Sequence, residues 1–252
     1  MSIRKSVLSW GIAATILSPS LLAFAPQAQS LPGEFLVSVD FPSTGGGGST
    51  SRSAKGGTRG SSPLESCVNE NGKPLTVLMP QNNVGTMVTD NPEIYWYVPE
   101  TRAEEAEFVL LDSEQQEVYA TTFDLSGEPG VVKLSLPQKN EGTNESIIAT
   151  QGEYTWFLAL ICNPDDRSYD EIVEGVVERQ EINQQLQAKI SNSSGLETAQ
   201  IFAQAGIWTD ALMILAQLRD TQPQQWENFL QSVDLGDYAT EPFVDCCTAE
   251  EY

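Results

Sequence analysis

Four cysteines, 35 carboxylates and a complete absence of histidine set the chemistry open to this chain. Without imidazole it lacks the commonest general base near neutral pH, the commonest metal ligand and every His-dependent triad. Carboxylate pairs could serve glycoside hydrolysis, but among 35 acidic residues some pair falls at a suitable distance by chance. A serine nucleophile would need a base other than His, and beyond residue 30 there is neither a Ser-x-x-Lys sequence nor a Gly-x-Ser-x-Gly elbow. The residues therefore point away from an enzyme, and no catalytic residue, metal ligand or cofactor is assigned.

The cysteines point to cross-links. Cys67, Cys162, Cys246 and Cys247 are an even set, and in an exported chain such a set favours disulfides over metal or thiol chemistry. Adjacent Cys246 and Cys247 close on each other only through a strained ring, so two longer bridges back to Cys67 and Cys162 are one solution. The other joins Cys67 to Cys162 and leaves the vicinal pair strained and reducible. Spacing alone leaves both open.

Two further clusters could bind. Asn163 to Glu171 gathers Asp165, Asp166, Asp170 and Glu171, hard oxygen ligands of the kind Ca²⁺ takes. Their spacing is not that of an EF-hand, and Arg167 stands among them, so a solvated turn with Arg167 paired to a carboxylate is the simpler account. Tyr95, Trp96 and Tyr97 alternate on one strand; with Trp96 in a core, Tyr95 and Tyr97 would lie together on the other face. There they could form an exposed platform for a sugar or a partner, or pack under neighbouring elements.

These groups need a scaffold, and the chain spells one out between Leu75 and Ile182. Seven strand-like runs follow at short spacing: Leu75 to Met79, Glu93 to Val98, Ala106 to Asp112, Glu117 to Leu125, Gly130 to Leu136, Tyr154 to Cys162 and Tyr169 to Arg179. Turn sequences such as Asp90-Asn91-Pro92 and Asn163-Pro164-Asp165 separate them. That count in about a hundred residues is that of an immunoglobulin-like antiparallel β-sandwich. Gly152, two residues before Tyr154 at the head of a long apolar strand, adds the arrangement of a tyrosine corner. Trp156, Leu158 and Leu160 alternate with Phe157, Ala159 and Ile161, so this strand is apolar on both faces and something must cover the outer one. The helical tail is the nearest candidate.

That tail begins near Glu181, with Ile182, Leu186 and Ile190 on one stripe. Ser194-Gly195-Leu196-Glu197 reads as a capping box opening a second helix, a third follows Gly206, and Pro223 to Val233 makes a fourth with Trp226, Phe229 and Leu230. Ala199, Phe202, Trp208, Ala211, Leu215 and Pro223 stand at the spacings of a tetratricopeptide-like hairpin. A single repeat is not a solenoid, so the pair is either a plain αα-hairpin or a docking surface centred on Trp208 and Leu215.

At the other end, Arg4 and Lys5 precede an apolar stretch from Val7 to Phe24, the layout of a signal peptide. Ala28-Gln29-Ser30 is the preferred cleavage site over Ala23-Phe24-Ala25, and export to the periplasm or beyond follows. No later run is long enough to span a membrane. Ser43 to Ser62 is almost wholly Gly, Ser and Thr, a linker whose Arg52, Lys55 and Arg59 could tether an anionic polymer or simply keep a spacer soluble. A formal charge of −22 repels phosphate backbones and anionic lipids, which excludes nucleic acid as a partner.

Taken together, Gly57-Thr58-Arg59-Gly60, Ile94 to Pro99, Ala106 to Asp112, Gly152 to Trp156, Cys162 with Asp165 to Ser168, Gly206 to Leu212 and the terminal Cys246-Cys247 resemble the exported cyanobacterial family called domain of unknown function 928. The resemblance covers nearly all of the chain beyond the signal. It implies export and a shared architecture, and supplies no catalytic residues; the four-glycine run and the polar insertion Lys139 to Asn144 depart from it locally.

The expected organisation is a signal peptide over 1–30, a flexible segment over 31–66, a β-sandwich over 67–182 and a helical subdomain with its Cys-Cys tail over 183–252. The expected role is a non-enzymatic module binding a protein of the cell envelope, with Tyr95, Tyr97, Trp208 and Leu215 as candidate partner surface. A carbohydrate-binding or adhesion module is the first alternative and a carboxylate-dependent hydrolase the second.

Overall fold

Residues 38–42, 54–55, 66–69, 72–139 and 147–245 are described by the computed structural model. The stretch 1–30 expected to be a signal peptide, most of the expected linker, residues 140–146, and Cys246 and Cys247 lie outside them. The described strands are β1 (Ala54–Lys55), β2 (Thr76–Val77), β3 (Val84–Met87), β4 (Glu93–Val98), β5 (Glu105–Leu111), β6 (Glu117–Asp124), β7 (Gly130–Ser135), β8 (Glu153–Leu160) and β9 (Glu171–Arg179). The helices are α1 (Gln184–Ile190), α2 (Leu196–Gln204), α3 (Trp208–Leu218) and α4 (Pro223–Gln231). The described residues from 38 onward form one compact unit.

Two sheets enclose the first core. The larger runs β1-β9-β8-β5-β6, with β3 also paired to β9; the smaller runs β2-β4-β7. Alternation sends Phe108, Trp156, Leu158 and Val177 inward from the larger sheet to meet Trp96, Val132 and Leu134 from the smaller. Phe108 stacks between Trp96 and Trp156, with centroids 6.4 and 5.8 Å away. At the head of β8 the hydroxyl of Tyr154 accepts the Ala149 backbone N–H at 2.9 Å, closing the corner that Gly152 makes room for: a Cβ on Gly152 would stand 2.5 Å from the Tyr154 ring. Cys67 and Cys162 form a disulfide. That selects the second of the two pairing schemes and leaves Cys246 and Cys247 with no other cysteine in the chain than each other.

The structure corrects the expected layout in five places. First, the sheets are not wholly antiparallel: β3 runs parallel to β9, Val84 opposite Val176. Val-Gly-Thr-Met is too short and too Gly-weakened to register as a strand by itself, and it forms because the edge of β9 is available beside it. Second, the segment expected to be flexible over 31–66 is partly built in. Val39 N–H donates to Gln225 Oε1 at 3.0 Å, Phe41 N–H donates to Ser232 Oγ at 2.9 Å, and both side chains are buried. Ala54 and Lys55 pair with Ile172 and Glu171 at the start of β9.

Third, the helices do not cover β8. They pack on the outer face of the smaller sheet, where Tyr95, Tyr97 and Val131 join Leu78, Trp208, Leu212, Leu215 and Phe229 in a second core. The stabilisation there comes from burying Leu78, Tyr95, Tyr97 and Val131 under the helices, since burial free energy scales with the apolar area removed from water. Fourth, α2 has no capping box. Its N-cap is Gly195 at φ +54°, and no side chain caps it. Gly195 takes a left-handed conformation that Ser194, one residue earlier, could not replace. Fifth, the start of α1 falls later than Glu181, at an N-cap Asn183 whose Oδ1 accepts Leu186 N–H at 2.8 Å.

The layers are joined by a buried charge. Asp210, in the first turn of α3, accepts the Val88 N–H at 2.9 Å just beyond β3. Burial pushes its carboxyl up to about 6, against the opposing pull of the Val88 and Thr89 amides and of Arg179. Because the folded value lies above the unfolded one, the folded state holds the proton more tightly, so this group's contribution to stability is full below about pH 4 and is lost as pH rises through about 6. About two pH units correspond to roughly 3 kcal/mol. Asp210→Asn keeps an acceptor for Val88 and removes the titration. The stability difference between wild type and variant, from urea unfolding, should therefore change by that order between pH 4 and 7; a constant difference would contradict the assignment.

Candidate interaction surface

The residues expected to form a partner surface are interior. Tyr95, Tyr97, Trp208 and Leu215 are 2%, 5%, 1% and 1% exposed, so none can serve as a platform, and a charge at Trp208 or Leu215 would disrupt the second core rather than a docked partner. Tyr95 is further committed: its hydroxyl donates to Glu93, which also pairs with Lys133 at 2.7 Å, and burial with that carboxylate raises its pKa. The sequence pattern showed that the two tyrosines share a face. It did not show that the helices would occupy it.

The acidic loop is spent on its own fold. Asp166 Oδ1 accepts the Ser168 N–H and hydroxyl at 3.1 and 2.6 Å, capping the short 3₁₀ turn Arg167–Tyr169. Asp170 is buried, accepts the Cys162 N–H at 3.1 Å and pairs with Arg167, whose Nη2 also reaches Glu107 at 2.9 Å. The expected pairing of Arg167 is thus present. Among the described residues no group of three His, Cys, Asp or Glu side chains is placed to hold a metal ion.

What remains is the outer face of the larger sheet. Register sets Val109 of β5 opposite Phe157 of β8, Phe157 opposite Glu174 of β9, Ala159 opposite Ile172 and Thr155 opposite Val176. Val109, Phe157, Ile172 and Val176 are half-buried, and none belongs to either core. An antiparallel sheet with one wet face usually carries polar residues there; here an apolar strip crosses three strands. Glu105, Glu107, Glu153, Glu174 and Glu178 share this face by the same alternation and frame the strip. Phe157 was legible in the sequence from the two apolar faces of its strand. Val109, Ile172 and Val176 were not singled out, although their alternation with Glu107, Glu174 and Glu178 carries the signal.

Other candidate surfaces are already engaged within the chain. Phe243 is 37% exposed, yet the Arg219 guanidinium lies 4.7 Å over its ring, and its segment is bonded to β7 by Val131 N–H to Pro242 O and Val244 N–H to Val131 O. At the outer edge of the larger sheet, the pairing of β6 with β5 shifts register between Leu110 and Leu111, an irregularity of the kind that blunts edges against pairing. No helix among the described residues is long and apolar enough to cross a membrane.

The two facing sheets and the four-helix layer define a mixed α+β module organised around two apolar cores. Residues 54–243 match the family described as Domain of Unknown Function (DUF928), and the chain belongs to that family. No curated protein and no solved structure matches it.

Proposed function

We propose that this protein is an exported, non-enzymatic interaction module of the cell envelope that binds protein through the outer face of its larger sheet. One observation carries the reading: the apolar strip around Phe157 is left uncovered by the helices, which occupy the opposite outer face. Both outer faces carry apolar residues, and among the described residues the helices cover only one. Contiguous apolar surface of this kind marks interaction sites. Export to the periplasm or beyond rests on Arg4, Lys5 and the apolar stretch to Phe24. The immunoglobulin-like reading rests on the Tyr154 hydroxyl bond, and the tetratricopeptide-like reading on the buried Ala199, Phe202, Trp208 and Ala211 of the α2–α3 hairpin. A carbohydrate platform has lost its two tyrosines to the second core.

Phe157→Thr keeps a good strand former on the outer face and should change stability by less than about 1.5 kcal/mol. The same change should cost a bound partner about tenfold or more in affinity, as central aromatic anchors do. Capture from envelope extract by wild type and variant, with folding checked by urea unfolding, tests this. Equal recovery of every bound protein by both chains would sink the proposal.

A further inference from the structure

Resting on that reading, we infer that the partner of the β5-β8-β9 face is a cationic amphipathic polypeptide segment, its apolar side chains on the Phe157 strip and its Lys or Arg side chains on the surrounding glutamates. The strip runs along the rows Val109–Phe157 and Thr155–Val176, and a glutamate closes each row's neighbour: Glu174 beside Phe157, and Glu153 opposite Glu178. Of the carboxylates on this face, Glu107 is satisfied by Arg167. Among the described residues no Lys or Arg pairs with Glu105, Glu153, Glu174 or Glu178. Glu153 and Glu178 are directly opposed like charges, an arrangement that is unfavourable in a bare sheet and is relieved by a cation placed across it.

Charge decides among occupants. A second copy would bring the same glutamate frame against itself, in a chain of formal charge −22. Anionic lipid and nucleic acid meet the same repulsion. A neutral glycan would find no exposed aromatic ring of the Tyr or Trp kind on this face and would leave the carboxylates unanswered. On β9 the outward residues read Ile172, Glu174, Val176 and Glu178, so an extended segment whose apolar and basic side chains alternate along one face, at positions i and i+2, answers both features together.

The test uses the full chain and three synthetic peptides of equal length, with Ser at every second position so that one face carries the pattern: a Lys-Val peptide repeating Val-Ser-Lys-Ser, a Lys-Ser peptide with Ser in place of Val, and a Glu-Val peptide with Glu in place of Lys. Binding is followed by titration calorimetry at low and at physiological salt. The Lys-Val peptide should bind, weaken as salt rises, and lose about five- to tenfold in affinity on either Phe157→Thr or the double change Glu174→Gln, Glu178→Gln. The other two peptides should bind at least tenfold more weakly. Equal binding of the Lys-Ser peptide, unaffected by Phe157→Thr, would reduce the effect to general attraction by an acidic protein and overturn the inference. Binding of the Glu-Val peptide with no effect of the glutamine changes would overturn the cationic partner while leaving the face as an interaction site. Failure of all three peptides overturns it as well, and capture by wild type but not Phe157→Thr would then show that the interaction reading stands without it.

Discussion

Replacing Trp208 by Ala should remove about 3–5 kcal/mol of stability, the range for truncating a large buried aromatic, and should loosen the helical layer from the smaller sheet. Trp208 stacks on Phe229 with centroids 4.5 Å apart and meets the edge of Phe41 at 5.0 Å. Its indole N–H donates to the Leu78 carbonyl at 3.1 Å, so one side chain links α3, α4, the N-terminal segment and the end of β2. Truncation opens a cavity at the junction and strands a buried carbonyl. Trp208→Phe retains the stacking and gives up only the hydrogen bond, at about 1 kcal/mol. Urea unfolding followed by circular dichroism would measure both changes; a loss below about 1 kcal/mol for Trp208→Ala would mean that the second core does not hold the layers together.

The second large effect is that of the disulfide. Cys67 and Cys162 are 95 residues apart in sequence, and cross-linking a loop of that size restricts the unfolded chain by about 4–5 kcal/mol in the loop-entropy account. Cys67→Ala with Cys162→Ala should therefore cost a large share of a domain stability that is typically about 5–15 kcal/mol. Cys246→Ala with Cys247→Ala closes no such loop and should cost far less. Urea midpoints of the two double variants compare them directly, and equal losses would contradict a Cys67–Cys162 bridge as the stabilising link.

Much of the scaffold was readable because it obeys local rules. β4 begins and ends where its sequence run does, since Pro92 and Pro99 bracket it, and Pro223 opens α4 as expected. What escaped reading was decided by tertiary competition. Tyr95 and Tyr97 on β4, and Phe157 on β8, each announced an apolar outer face, and nothing in the local pattern says which of two such faces a later helix pair will take. The same limit hid β3, which exists only because β9 offers an edge, and hid the burial of Val39 and Phe41, which depend on Gln225 and Ser232 nearly two hundred residues away. The candidate surface was half legible for the same reason. Alternation named Phe157, while the register that sets it beside Val109 and Glu174 is a property of the folded sheet.

If the larger sheet's outer face is the working surface, a bound partner must shield it. Hydroxyl-radical footprinting of the full chain, alone and with the partner recovered by capture, tests it most directly. Protection concentrated at Phe157, Val109, Ile172 and Val176, with Phe243 and the helix surfaces unchanged, is the predicted result. Protection confined to the helices or to β6, with Phe157 as reactive in the complex as in the free protein, would contradict it.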